Sequence, residues 1–89
     1  MLEKEIEAHL ISRVRAAGGL AFKWTSPSNA GVPDRICFMP GGRVVFVELK
    51  RPGGSLRPLQ ERVIGLLRRL GAEVHVVDSK EGVDEVLAA

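Results

Sequence analysis

Three charged residues in one apolar stretch have the types and spacing to do chemistry together. Asp34 directly follows Pro33, Glu48 lies fourteen positions on, and Lys50 two beyond that. They sit in the runs "DRICFM" and "RVVFVELK", which read as strands, and the "PGG" between them suits a hairpin turn because glycine takes positive φ without steric cost. Side chains two apart in a strand share a face, so Glu48 and Lys50 project together, in line with Val44 and Phe46. Pairing the two runs around the turn brings Asp34 to the same end of the sheet. Two carboxylates that close repel each other unless a cation bridges them, and hard oxygen donors select Mg²⁺ or Mn²⁺ over softer metals. Taken singly, the same residues also fit an exposed ion pair at a strand end and a turn aspartate after proline.

The surrounding elements must hold this group in place. Ile6, Leu10, Val14 and Ala17 recur at helical spacing and Gly18 and Gly19 follow, which predicts an amphipathic helix over residues 3–17. Glu3 and Glu7 continue its apolar row. "LAFKW" predicts a short strand over 20–24, and "TSPSNAGVP" a loop over 25–33 in which Asn29 has a shaping role. After "RPGG", Ser55 is the expected cap of a helix from Leu56 to Leu70, with Pro58 tolerated in its first turn and Gly71 as its stop. Leu59, Val63, Leu66, Leu67 and Leu70 form its expected apolar face. A strand "EVHVVD" and a short acidic helix over 80–88 complete the chain. The resulting order, αβββαβα, implies an α/β fold: a mixed four-stranded sheet flanked by helices, with a helical crossover between the last two strands. The all-apolar "VVFV" predicts a central strand covered on both faces.

With 89 residues, the chain is expected to form one small domain over 1–89, whose core gains from a second subunit. Its 45% hydrophobic and 27% charged residues suit a globular protein. No apolar run approaches the ~20 residues that cross a bilayer, and the acidic start "MLEKEIEAHL" is unlike a signal peptide, so a cytoplasmic protein is expected. Cys37 is the only cysteine, expected as an inert buried thiol. His9 and His75 lie in dissimilar contexts and predict a solvated helix residue and a strand residue, not a metal site. Trp24 is expected at a core edge or subunit contact.

Net charge is only +2 but uneven. Between positions 35 and 69, Arg35, Arg43, Lys50, Arg51, Arg57, Arg62, Arg68 and Arg69 face only Glu48 and Glu61, while acidic residues gather near both ends. A polyanion would dock against that middle. The helical arginines also fit an ordinary solvated face.

The chain also resembles a known family. "PD…ELK" is similar to the PD-(D/E)xK nuclease superfamily. The helical glutamate, "NAGVPD" (Asn29 to Asp34), "VELK" (Val47 to Lys50) and "LRPLQ" (Leu56 to Gln60) together resemble the virus-type replication-repair nuclease, or VRR-NUC, family over nearly the whole chain. The resemblance implies a restriction-endonuclease-like core and metal-dependent hydrolysis of DNA phosphodiester bonds. It assigns Asp34, Glu48 and the backbone carbonyl of Leu49 as ligands of Mg²⁺ or Mn²⁺, Lys50 to the attacking water or scissile phosphate, and Gln60 to supporting them. The helical ligand is left open: Glu3 suits the family's "ExxI" opening, whereas Glu7 better matches the archaeal junction resolvases of the same superfamily.

No organic cofactor and no membrane partner is implied. A homodimer cutting branched DNA, preferably four-way junctions, in a bacterial or phage-infected cell is the expected form, because stand-alone members resemble junction-resolving enzymes. DNA contacts are expected at Asn29, Arg35, Arg51, Arg57, Arg62, Arg68 and Arg69. A flap or single-strand nuclease, and a non-catalytic DNA-binding or accessory module keeping the fold, are the alternatives; the latter has no need of acidic ligands beside a phosphate backbone.

Overall fold

The computed structural model describes residues 1–89. In chain order it contains α1 (Glu3–Ala16), β1 (Leu20–Lys23), β2 (Arg35–Phe38), β3 (Val44–Leu49), α2 (Pro58–Arg69), β4 (Glu73–Val77) and α3 (Lys80–Ala88), with a 3-10 turn at Pro40–Gly42. This is the order expected from the sequence.

The sheet runs β1-β2-β3-β4. β1, β2 and β3 form an antiparallel meander, and β3 pairs with β4 in parallel through the α2 crossover. The "PGG" turn works as its glycines allow: Gly41 and Gly42 have φ of 80° and 82°, values that L side chains rarely adopt. Its register places Arg35 opposite Val47, so Asp34 faces Glu48 one step further along.

Strand alternation then sorts the two faces. Val45, Val47 and Leu49 of β3 are buried with Ile6, Leu10 and Val14 of α1 and with Val83 and Val86 of α3. Cys37 lies in the same cluster, fully buried, and burial pushes its thiol up to about 11. Val44, Phe46 and Glu48 point to the opposite face, towards α2. On that side Val44 and Phe46 are only half-buried, so β3 is sealed on one face rather than two. The reason is that α2 packs against β4 and the site end of β3, leaving β1 and β2 without a helix on this side.

Two expectations for α2 change. The helix begins at Pro58, so Ser55 lies too far upstream to cap it; the Arg57 amide donates instead to Gln60 Oε1 at 3.0 Å. Its fully buried residues are Gln60 and Ile64, whereas Leu59, Leu66 and Leu70 are exposed. Trp24 packs its ring on Phe46, with centroids 5.3 Å apart. His9 is not simply solvated: its Nε2 lies 2.8 Å from Asp84 on α3 and ties that helix to α1. No helix is long and apolar enough to cross a membrane.

Candidate functional site

The site forms where the end of β3 meets the start of β2 and the first turn of α2. Asp34 Oδ2 accepts a 2.9 Å hydrogen bond from the Leu49 amide, which fixes the carboxylate against the β3 terminus. Main-chain bonds from Trp24 to Asp34 (2.9 Å) and from Lys50 to Val77 (2.9 Å) hold the flanking backbone. Asp34, Glu48 and Lys50 therefore meet as strand alternation and hairpin pairing require.

Glu48 is 2% exposed. Its Oε2 accepts from Gln60 Nε2 at 2.8 Å and lies 3.3 Å from Lys50 Nζ, while its Oε1 is buried without any hydrogen-bond partner. Burial raises the Glu48 pKa, Asp34 raises it further, Lys50 opposes the shift, and Glu3 adds a smaller upward push. A buried carboxylate oxygen left without a donor is costly unless something outside the chain satisfies it.

Gln60 links the group. Its Oε1 accepts from Lys50 Nζ at 2.8 Å as well as from the Arg57 amide, and its Nε2 donates to Glu48. One amide thus orients both charged side chains and closes the N-terminus of α2. The sequence offered a signal for the capping role: Pro58 favours the first helical position, which puts Gln60 at the third, where a glutamine reaches back to the preceding amide.

α1 contributes its two glutamates differently. Glu7 Oε2 accepts from Arg35 Nε at 3.1 Å, a part-buried pair joining α1 to β2. Glu3 is exposed at the start of α1 and near enough to act on Glu48 electrostatically.

The donors suit a hard divalent cation: two carboxylates, one with an unpartnered oxygen, at the end of β3. No three His, Cys, Asp or Glu side chains converge into a ligand set by themselves. A cation here would therefore complete its shell with main-chain oxygen and water, as Mg²⁺ commonly does.

The expected DNA-contacting residues separate into two groups. Arg51, Arg57, Arg62 and Arg69 are exposed, and Asn29 is exposed in the loop, where its Nδ2 donates to Ser26 Oγ at 3.2 Å. Arg35 instead projects to the α1 side, because it neighbours Asp34 in a strand, and is held by Glu7. Arg68 is exposed as well, but its Nε and Nη2 donate to the Val74 carbonyl at 3.2 and 2.8 Å, covering an edge strand. Reasoning from the sequence also missed Gly31, where an added Cβ would lie 2.7 Å from the Leu59 carbonyl oxygen; only glycine lets the loop approach α2 so closely.

Comparison with known proteins agrees with this arrangement. The chain matches the VRR-NUC domain model over residues 1–81. It is 47% identical over 79 residues to "Putative nuclease p44" of Acyrthosiphon pisum secondary endosymbiont phage 1, covering 89% of this chain and 85% of that protein. A solved VRR-NUC domain structure is similar with a TM-score of 0.90 at 32% identity, over 97% of this chain and 94% of the other. The family model spans most of the chain and the fold similarity nearly all of it, so this chain belongs to the VRR-NUC domain family.

Proposed function

We propose that this nuclease domain is a divalent-metal-dependent endodeoxyribonuclease that hydrolyses phosphodiester bonds in branched DNA, four-way junctions above plain duplex, as a homodimer in the cytoplasm of a bacterial or phage-infected cell. The observation that carries the reading is Glu48: a buried carboxylate with one unpartnered oxygen, beside Asp34 and within an ion pair's reach of Lys50.

Asp34, Glu48 and the Leu49 carbonyl would hold Mg²⁺ or Mn²⁺, with Glu3 as the helical carboxylate in preference to Glu7, which is engaged by Arg35. Such an ion, when bound, lowers the pKa of water and offsets charge building up on the phosphate oxygens. Lys50 does the remaining polar work of the chain. Gln60 and Glu48 hold its ammonium at 15% side-chain exposure, from where it donates to a phosphate oxygen or orients the attacking water. Gln60 is a positioning residue, acting through Lys50.

Arg51, Arg57, Arg62 and Arg69 supply exposed positive charge on the segment that carries the site. They favour a polyanionic backbone without selecting a base sequence. One such site cuts one strand, and a two-fold pair of sites matches the symmetry of a four-way junction.

The test is to incubate purified protein with single-stranded, duplex, flap and four-way junction DNA, with Mg²⁺, with Mn²⁺ and with chelator. Paired cuts in the junction at rates well above duplex, abolished by chelator, are expected. Equal cutting of duplex and junction removes the substrate preference, and binding without any cut favours a non-catalytic module.

A further inference from the structure

α2 exposes a row of leucines that its fold leaves uncovered. Residues advance by ~100° along a helix, so Leu59, Leu66 and Leu70 share one flank of α2, roughly half a turn from Arg68. Arg68 reaches the outer edge strand, β4, and thereby fixes the opposite flank as the one turned towards β1 and β2. Gly31, in the loop joining those two strands, lies against Leu59 and Val63 and agrees with that orientation.

Beside this wall lies an open floor. Leu20, Phe22 and Phe38 are 53%, 54% and 46% exposed, and strand alternation places them on the α2 side of the sheet. Phe22 and Phe38 meet edge to face, with ring centroids 5.9 Å apart. Leu59, Leu66 and Leu70, at 50%, 43% and 86% exposure, complete an apolar corner. None of these six side chains is charged, so a DNA backbone is the wrong occupant.

We infer that this corner is the surface on which a second copy of the chain docks, with α2 of each protomer covering the β1–β2 floor of the other across a two-fold axis. The inference rests on the homodimer of the proposed function and assigns it a surface. Area supports it: two phenylalanines of roughly 150–250 Å² each and four leucines, about half exposed, offer on the order of 500 Å² of apolar surface. A standard interface uses about 800 Å² per partner, so this patch would form the core, with polar rim residues supplying the rest. A two-fold contact requires a patch complementary to itself, and an uncharged wall meeting an uncharged floor satisfies that requirement. The same pairing supplies each protomer with the helix missing above β1 and β2.

Sedimentation of the full chain at micromolar concentration, with Leu66→Glu/Leu70→Glu and Ser12→Glu variants, tests this directly. Wild type and Ser12→Glu should run at twice the mass of one chain, and the leucine variant at the mass of one, with circular dichroism and a cooperative melt showing that it is folded. If the charged variant fails to fold, a mixture of Leu66→Cys and Phe22→Cys proteins replaces it. Because Cys37 is buried, mild oxidation of that mixture should cross-link Leu66→Cys to Phe22→Cys, helix to floor, and leave a mixture of Leu66→Cys with Ser12→Cys uncross-linked. A monomeric wild type overturns the inference, as does a dimer that survives the double substitution or a mixture of Leu66→Cys and Phe22→Cys that does not cross-link. The nuclease reading is scored separately: a folded monomeric variant should still nick DNA in the presence of metal while losing paired cuts.

Discussion

Lys50 and Gln60 are joined by a 2.8 Å hydrogen bond across ten residues of chain, and the same amide holds Glu48. The ammonium is thereby fixed by a neutral partner on one side and a buried carboxylate on the other, a preorganised position for a group that must meet a phosphate.

Gln60→Ala should therefore lower the cleavage rate by about 10–100-fold with little change in DNA affinity, because the amide orients Lys50 without touching substrate. The substitution also strips the Arg57 amide and Glu48 of a partner, at a stability cost of about 1–3 kcal/mol. Single-turnover rates at saturating protein, with thermal melts, measure both effects.

Glu3→Gln and Glu7→Gln should behave differently. Glu3→Gln is expected to weaken metal binding, so that half-maximal cleavage needs more metal, and to lose most activity. Glu7→Gln should mainly lose the Arg35 contact, costing about 1 kcal/mol or less of stability for a part-exposed pair, with activity per folded molecule retained. Metal titrations of cleavage beside denaturant melts separate the two, and the reverse pattern would assign the ligand to Glu7.

Basic residues on α2 should also divide. Arg62→Ala and Arg69→Ala should each flatten the log–log salt dependence of DNA binding by up to about 0.9, the change for one lost phosphate contact on B-DNA. Arg68→Ala should leave that slope unchanged and lower the melting temperature, since Arg68 is bonded to the Val74 carbonyl. Binding isotherms across a salt series decide it.

Acid stability should report the Arg43–Glu73 pair. Arg43 donates to both Glu73 oxygens, at 3.0 and 2.6 Å, and the guanidinium holds the carboxyl down to about 2 from an ordinary 4.5. A folded pKa below the unfolded one gives stability that is fully present above about 4.5 and lost as pH falls towards 2. Glu73→Gln should therefore melt below wild type at neutral pH, with the gap closing over that acid range. A gap constant with pH would show that the pair contributes nothing through charge.

The convergence of Asp34, Glu48 and Lys50 was legible because it follows from local rules: period-two alternation, a glycine turn and antiparallel pairing. Arg35 could have been sorted by the same rule, since a neighbour of Asp34 in a strand must point to the other face. α2 was harder to read. Apolar spacing predicted a face of Leu59, Val63, Leu66, Leu67 and Leu70, yet only Val63 and Leu67 of these are half-buried and the helix turns Gln60 and Ile64 inward. That rotation depends on tertiary contacts, Gln60 with Glu48 and Arg68 with β4, which no periodicity encodes. The choice between Glu3 and Glu7 likewise needed the position of Arg35, which is distant in sequence.

Everything proposed for this chain turns on Asp34, Glu48 and Lys50 forming a metal-dependent phosphodiesterase site. Its most direct test is the initial rate of junction cleavage in Mg²⁺ by wild type and by Glu48→Gln, a near-isosteric change that removes the ligand charge and preserves core volume. Wild-type activity should be chelator-sensitive, with a loss of at least about 100-fold in the folded variant. Wild-type cleavage that persists in chelator, or a folded Glu48→Gln that cuts at the wild-type rate, would contradict that site assignment.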